Sequence, residues 1–339
     1  MSSSLRPGQP AENVEVADSG DVSAAYPVIP AAATSAFVNG HFPRRRWKVV
    51  GFSVLAGFLL TVIWSASFVD SVIGDSVANA MLGHDAKETA ITGAAAGIVF
   101  AFVSGLAGTF TACNIAVFGT VAPMVGGAGG RWQQVLTTLR PMLWLAVGMV
   151  VVSAVYGVVV GLVGTGMPQF DTAASQPGEI PGRLGQSMVV FGLIGVVMAY
   201  LGLASLGFVR DPFARIAPRF PNAPLVFMGA LVGAFLIGRP FPLFRMLFRD
   251  AAESGNPFYG AGAFVLQSIG NIVVLAVLML IIAFTSGRLQ RWLAADPRRL
   301  TVLTGAALII PGVFLVLYWD VRLLAMLDII PWFPVAPWV

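Results

Sequence analysis

Charged residues are scarce in this sequence of 339 residues: they make up 11% of the chain, against a hydrophobic fraction of 57%. A soluble globular domain carries roughly a quarter charged residues, so a soluble protein of this composition could not cover its own surface. The surface must therefore face lipid. No polar stretch is long enough for a soluble catalytic domain, which places any functional site within or beside the membrane.

Side chains that could hold a metal or a haem are also few. Cys113 is the one cysteine, so no disulfide can form within the chain. The two histidines, His41 and His84, lie outside the apolar runs, which excludes paired histidine ligation of haem in the membrane. We therefore predict no metal and no cofactor. No basic strip carries interleaved aromatic residues, so nucleic-acid binding is not expected.

The N-terminal region combines a polar tail with a first apolar run. Residues 1–46 are rich in Ser, Ala and Pro without a periodic pattern, and we predict a disordered cytoplasmic tail. Residues 47–69 are apolar, and Ser65, Ala66 and Ser67 within them are typical of a signal-peptide cleavage site. A signal peptide has only a short segment before its apolar core, however, so we interpret residues 47–69 as a retained transmembrane anchor.

Six further apolar runs follow the anchor, and two of them are interrupted. The runs are 91–124, 142–163, 187–209, 223–248, 258–284 and 300–319. The first, of roughly 34 residues, would give about 51 Å of straight helix against a hydrocarbon core of about 30 Å, so we expect it to bend. Pro240 and Pro242 flank Phe241 in the fourth run, and proline removes a helix donor and clashes with the preceding turn. We therefore predict two broken helices.

Loop charges set the predicted orientation. When the first interrupted run is counted as one crossing, the arginine-rich loops all lie on one side of the membrane and the acidic loops on the other. We predict an all-α polytopic membrane protein with about seven transmembrane helices, a cytoplasmic N-terminus and an extracytoplasmic C-terminus. Residues 320–339, which contain Trp332 and Trp338, are expected to form an interfacial tail.

The spans after the anchor group as three plus three. Residues 106–110 (Leu-Ala-Gly-Thr-Phe) in the first broken helix parallel residues 231–235 (Leu-Val-Gly-Ala-Phe) in the second. Each motif opens a three-span unit, and an odd number of spans inverts the second copy. We therefore predict inverted repeats at 91–209 and 223–319, an arrangement typical of transporters with discontinuous helices near the bilayer centre.

Polar residues near the breaks and in the sixth span are candidates for lining a central cavity. Asn114 needs a polar partner in apolar surroundings, and Arg239 either reaches the headgroups or faces an aqueous cavity. Gln267 and Asn271 share one helix face and either bond neighbouring helices or line a pore. Cys113 is either a small buried hydrophobe or a reactive thiol. The candidate lining residues are Thr111, Asn114, Pro123, Arg239, Pro240, Phe241, Pro242, Gln267 and Asn271.

The segment Phe102–Cys113 (FVSGLAGTFTAC) resembles the first broken helix of the DsbD/CcdA membrane family, in which a glycine-rich run ends in a Pro-Cys-type motif. Residues Gly238–Pro242 are similar to the matching break in the second half of that family. The resemblance implies two inverted halves over about 91–319 and a bacterial inner or plasma membrane. It also implies a carrier that passes reducing equivalents to extracytoplasmic partners, with Cys113 as the redox residue and a thioredoxin-like or cytochrome-assembly protein as its partner.

The chain departs from the family pattern at two places. Ala112 replaces the proline, and the second cysteine is absent from its place at Gly238 or Phe241. Because a thiol relay proceeds through a mixed disulfide resolved by a second thiol, Cys113 would need a partner thiol, in a homodimer or in another protein. We therefore predict a diverged carrier for extracytoplasmic thiol redox or cytochrome c assembly. The alternatives are a small-solute or ion transporter similar to LysE-type exporters and a non-catalytic membrane partner subunit.

Overall fold

The computed structural model describes most of the chain from Ser35 onward. The described residues are 35, 37–65, 76–83, 85, 94–107, 114, 117–118, 131–171, 177–239, 242–285, 291–293 and 295–338. Within these ranges the chain is helical and has no strand apart from one isolated bridge between Ser35 and Val38, which confirms the all-α prediction there. Five residues named above as candidates lie outside the described residues: Thr111, Cys113, Pro123, Pro240 and Phe241.

The helices are numbered in chain order. They are α1 (Arg46–Ile63), α2 (Ser76–Leu82), α3 (Ala94–Ala107), α4 (Arg131–Val163), α5 (Gly182–Ser205), α6 (Ala223–Gly238), α7 (Pro242–Glu253), α8 (Pro257–Thr285), α9 (Pro297–Val316) and α10 (Leu323–Met326). Two 3₁₀ turns, Gly164–Gly166 and Pro168–Phe170, follow α4, and a π-helical segment, Leu317–Arg322, joins α9 to α10.

Five helical segments of the described chain are long and apolar enough to cross a membrane, so the protein is a multi-pass membrane protein. They are Arg46–Ile63, Trp132–Gly166, Gly182–Ser205, Pro257–Thr285 and Pro297–Met326. The helices α3 and α6 are apolar but shorter. Several boundaries differ from the sequence prediction, most of all the start of α4 and the end of the last span. The helix α4 begins at Arg131, before its apolar run, and continues through Pro141 in its interior. The last span continues beyond residue 319 through the π-helical segment.

The helices lie side by side in the order α1, α9, α5, α6, α4, α8 and α3. The neighbours α4 and α8 are antiparallel: the Gln134 side chain donates to the Ala283 carbonyl near one end of the pair, and Gly161 packs on Asn256 near the other. Large apolar side chains such as Val189 are exposed on the outside of the bundle. In a membrane protein this surface faces the lipid.

The break in the second interrupted helix is confirmed. The helix α6 ends at Gly238, Arg239 has an extended backbone (φ −78°, ψ 113°), and α7 begins at Pro242. On α7 the side chains of Leu247 and Phe248 are fully buried against α3, α4 and α8, while the opposite face is charged. This amphipathic helix lies at one end of the bundle, which we call the α7 end. The first predicted break falls outside the described residues.

The crossing of α3 and α8 depends on glycine. Gly105 of α3 lies against the carbonyl oxygen of Gln267, and Gly270 of α8 lies against the carbonyl oxygen of Phe102. A Cβ atom at either glycine would overlap the backbone of the other helix. Each helix therefore offers a carbonyl and, one turn later, a glycine to its neighbour. Gly105 and Gly270 thus permit a close approach of the two helices.

The crossing of α4 and α6 has the same arrangement. Gly148 of α4 lies against the carbonyl oxygen of Val226, and Gly229 of α6 lies against the carbonyl oxygen of Leu145. A Cβ atom at either glycine would again overlap backbone, and the carbonyl again precedes the glycine of its own helix by one turn. We call these two pairs the α3–α8 crossing and the α4–α6 crossing.

Candidate functional site

Three of the predicted cavity residues meet at the α3–α8 crossing. The Asn114 amide donates to the Asn271 side-chain oxygen at 3.1 Å, and Asn114 is only 1% exposed. Gln267 lies one turn before Asn271 on α8 and is 2% exposed. The Gln267 side-chain oxygen is buried and accepts no hydrogen bond from the described residues. The shared face of Gln267 and Asn271 therefore points into the protein and leaves one acceptor available.

A serine pair connects this face of α8 to α4. The hydroxyl oxygens of Ser153 and Ser268 lie 2.5 Å apart, and both side chains are fully buried. Ser268 directly follows Gln267 in the chain, so the polar face of α8 continues onto α4. The sequence offered no signal for Ser153, because a single serine in an apolar run is ordinary in a membrane helix.

A second polar group lies at the break between α6 and α7. The Gln186 amide donates to the Ile237 carbonyl at 2.6 Å and to the Tyr156 hydroxyl at 3.2 Å. Because α6 stops at Gly238, the Ile237 carbonyl has no partner further along the helix. Gln186 of α5 therefore satisfies a carbonyl that the break releases.

The hydrogen bonds of this second group run in one direction. Tyr156 accepts from Gln186 and donates to the side-chain oxygen of Gln169, which is 6% exposed. The Gln169 amide nitrogen is buried and donates to no acceptor among the described residues. The chain of donors thus ends in an N–H group that is free to bind a further acceptor.

Together these groups form a continuous series of polar side chains that are buried or, at Asn271 and Gln186, half-buried. Ser153 and Tyr156 lie one turn apart on the same face of α4, which joins the serine pair to the hydrogen bonds at the break. Phe264 of α8 packs edge-on against Tyr156, with ring centroids 5.6 Å apart, and keeps the surroundings apolar. We call the series the polar track: Asn114, Asn271, Gln267, Ser268, Ser153, Tyr156, Gln169 and Gln186.

Three members of the track besides the serine pair were not expected from the sequence. Tyr156 lies within an apolar run, and Gln169 and Gln186 lie at the ends of neighbouring spans, where polar residues are normally solvated. The sequence feature that could have indicated them is the pair of glutamines, Gln169 and Gln186, one at each end of the segment between α4 and α5. Arg239, by contrast, was a candidate, expected either to reach the headgroups or to face an aqueous cavity. It is the half-buried capping residue of α6, two positions after the Ile237 carbonyl that binds Gln186.

Arginines are concentrated at the α7 end of the track. The charged face of α7 carries Arg245 and Arg249, and Arg183 lies on the first turn of α5. Partial burial, together with the positive charges of Arg183 and Arg249, lowers the pKa of the Arg245 guanidinium from its ordinary value. Arg183 and Arg249 therefore lie close enough to Arg245 to repel its charge.

The described residues contain no group of three or more His, Cys, Asp or Glu side chains that could hold a metal ion. Comparisons with protein-family models, with curated proteins and with solved structures give no match to this chain. The resemblance to the DsbD/CcdA family therefore remains a prediction that rests on the residues quoted above. The redox role of Cys113 also remains a prediction, since that residue lies outside the described ranges.

Proposed function

We propose that this protein transports a small solute or ion across the membrane and that the polar track is part of its path. The observation that carries the proposal is a difference between the two glycine crossings. In the α3–α8 crossing, Gln267 supplies the carbonyl and Asn271 lies one turn later. In the α4–α6 crossing, Leu145 and Met149 occupy the corresponding positions.

The apolar crossing is an internal control for the polar one. The helices α4 and α6 approach each other as closely as α3 and α8 do, with Leu145 and Met149 in place of the two amides. A close approach of two helices therefore does not require amide side chains. A buried polar group without a partner costs about 1–3 kcal/mol, whereas hydrogen bonds between membrane helices return about 0.6 kcal/mol on average. Polar residues kept inside a membrane under these conditions typically mark a substrate or ion pathway. The Gln267 oxygen would accept a hydrogen bond from a solute or coordinate a cation.

The packing also supports the proposal of two inverted repeats. The first helix of each predicted half packs on the second helix of the other half: α3 on α8, and α6 on α4. The same exchange of glycine and carbonyl occurs at both contacts. Inverted repeats with broken helices surround a central site in many secondary transporters. In this proposal α3 and α6 provide the two remaining crossings, and the N-terminus is cytoplasmic.

The thiol relay implied by the family resemblance is a separate proposal. A relay within one chain needs two thiols, and Cys113 is the single cysteine of this sequence. Transport through the polar track needs no thiol. A Cys113→Ser variant separates the two, because it abolishes a relay and leaves transport in place.

Transport can be measured by the swelling of proteoliposomes. Vesicles containing the purified protein are mixed with isosmotic glycerol, lysine hydrochloride, potassium chloride or potassium phosphate, and light scattering reports solute entry. We expect protein-dependent entry of at least one of these solutes, reduced at least tenfold by Gln267→Leu. The matched control is Gln133→Leu, which changes an exposed glutamine of α4.

Two results would refute this proposal. One is the absence of protein-dependent swelling with all four solutes. The other is an unchanged rate in a Gln267→Leu protein whose thermal unfolding shows that it is folded. The Cys113→Ser variant is measured in the same assay and should keep full solute entry, because the polar track needs no thiol.

A further inference from the structure

Two of the arginines at the α7 end lie beside the last members of the polar track. Arg183 lies one turn before Gln186 on α5, and its guanidinium donates to the Asp171 backbone carbonyl at 3.1 Å. Arg245 lies one turn before Phe248 on α7, and the Phe248 ring packs edge-on against Tyr156, with ring centroids 6.3 Å apart. Arg183 therefore lies one turn from a member of the track on α5, and Arg245 is half-buried at the edge between the buried and the charged faces of α7.

Three acidic side chains near these arginines bind groups other than Arg183 and Arg245. The Asp171 carboxylate accepts from the Gly182 N–H at 2.8 Å, at the start of α5. The Asp250 carboxylate accepts from the Tyr259 hydroxyl at 2.5 Å. Glu253 forms an exposed pair with Arg249 at 3.9 Å.

Arg183 and Arg245 have no direct ion-pair partner among the described residues. Two guanidinium groups held near each other repel, and an anion between them would remove that repulsion. The planar guanidinium fork matches the two oxygens of a carboxylate or a phosphate.

Gln169 independently indicates a ligand that accepts hydrogen bonds. Its amide nitrogen is buried without a described acceptor, at the end of the series from Gln186 through Tyr156. Gln169 lies two residues before Asp171, whose backbone carbonyl accepts from Arg183. The N–H donor of Gln169 and two arginines that form no ion pair with a described residue thus lie at the same end of the track. No cation or neutral donor would satisfy all three.

We propose that Arg183, Arg245 and the amide of Gln169 bind a small soluble oxyanion, a carboxylate or a phosphate, at the α7 end of the polar track. The further step, that this anion is the transported solute, rests on the proposed transport function. Binding itself does not rest on transport and can be measured separately.

The test is thermal unfolding of the purified full-length protein in detergent. Sodium phosphate and sodium acetate are each compared with sodium chloride at equal ionic strength. We expect at least one of the two oxyanions to raise the unfolding temperature by several degrees relative to chloride. Arg183→Gln and Arg245→Gln should each lose most of that rise.

Two further readouts separate a binding role from a structural one. In chloride alone, Arg245→Gln should unfold at the same temperature as the wild type or higher, because the substitution removes a repulsion. Arg215→Gln, which changes an exposed arginine in the loop between α5 and α6, should keep the full response to the oxyanion. A substitution that merely damaged the fold would lower the unfolding temperature in both salts.

The proposal fails if neither oxyanion stabilises the wild type beyond chloride, or if both variants keep the response. It also fails if phosphatidylglycerol added to the micelles stabilises the protein and the soluble anions do not, since the ligand would then be a lipid headgroup. Such a failure leaves the transport proposal standing, because the swelling assay also tests a neutral solute and cations.

Discussion

The α3–α8 crossing and the α4–α6 crossing share one backbone arrangement and differ in the side chains around it. In both, a glycine of each helix faces a carbonyl oxygen of the other. The first crossing carries Gln267 and Asn271, and the second carries Leu145 and Met149 at the same positions. The difference shows that glycine is sufficient for the close approach of two helices. Only the α3–α8 crossing carries amide side chains at these positions.

Backbone contact explains why the glycines should matter most. Without a hydrophobic driving force between helices in lipid, association depends on van der Waals packing, which small residues allow. A Cα–H group against a carbonyl oxygen adds a weak hydrogen bond. Since the neighbour at each glycine is backbone rather than a flexible side chain, no rotamer change can accommodate an added methyl group.

The largest expected effect on stability is that of Gly270→Ala and of Gly148→Ala, one glycine from each crossing. Overpacking usually costs about 1–3 kcal/mol where side chains can move, and we expect the upper end of that range or more for both variants. The control is Gly262→Ala on α8, where nothing lies within 4 Å of an added Cβ. Titration with a denaturing detergent measures the change.

Equal losses in the two variants would support the equivalence of the crossings. The control should be neutral, or stabilised by up to about 1 kcal/mol, because alanine has the higher helix propensity. A Gly270→Ala protein as stable as the Gly262→Ala protein would show that α3 and α8 do not approach each other this closely.

The second prediction introduces polarity into the apolar crossing. Leu145→Gln buries an amide among apolar neighbours, and we expect a loss of about 1–3 kcal/mol because the new group finds no partner. Leu136→Gln, an exposed position of the same helix that lies before the apolar run and beside the exposed Gln133 and Thr137, should change stability much less. Detergent titration again gives the values. If the stability of the Leu145→Gln protein is unchanged, a buried amide at a crossing costs little. The amides at the α3–α8 crossing would then not indicate a functional role.

Features of the fold that follow from local chemistry were predictable from the sequence. The break after Gly238 follows from the proline pair that brackets Phe241, because proline cannot continue a hydrogen-bonded helix. The apolar runs gave the long helices, although α4 begins eleven residues before its apolar run, at Arg131. Glycines in an apolar run indicate close helix packing, but no local pattern identifies the carbonyls that Gly105 and Gly229 face.

The candidate site was predictable only where two members share a helix. Gln267 and Asn271 share a face of α8 through their spacing alone. The pairing of Ser153 with Ser268, and that of Tyr156 with Gln186, arise from contacts between distant segments. No local pattern specifies such a contact, since either partner alone is ordinary in a membrane helix.

The third prediction concerns the hydrogen bonds at the break. Tyr156→Phe removes the hydroxyl between Gln169 and Gln186 and leaves the buried side-chain oxygen of Gln169 without its donor, so we expect a loss of about 1–2 kcal/mol. The matched control is Tyr200→Phe, whose hydroxyl donates to the Arg210 carbonyl at an exposed position. It should lose less than about 1 kcal/mol. Equal losses in the two proteins, measured by detergent titration, would show that the buried hydroxyl has no special role.

The smallest expected effect on stability comes from converting the polar crossing into its apolar counterpart. The double variant Gln267→Leu and Asn271→Met gives α8 the side chains that α4 carries at Leu145 and Met149. Hydrogen bonds between membrane helices average about 0.6 kcal/mol, and the new side chains fill the space, so stability should change by less than about 1 kcal/mol. Solute entry into proteoliposomes should nevertheless fall at least tenfold. A stable variant with full entry would show that the amides serve neither packing nor transport. A variant that loses several kcal/mol would show that they hold the helices together.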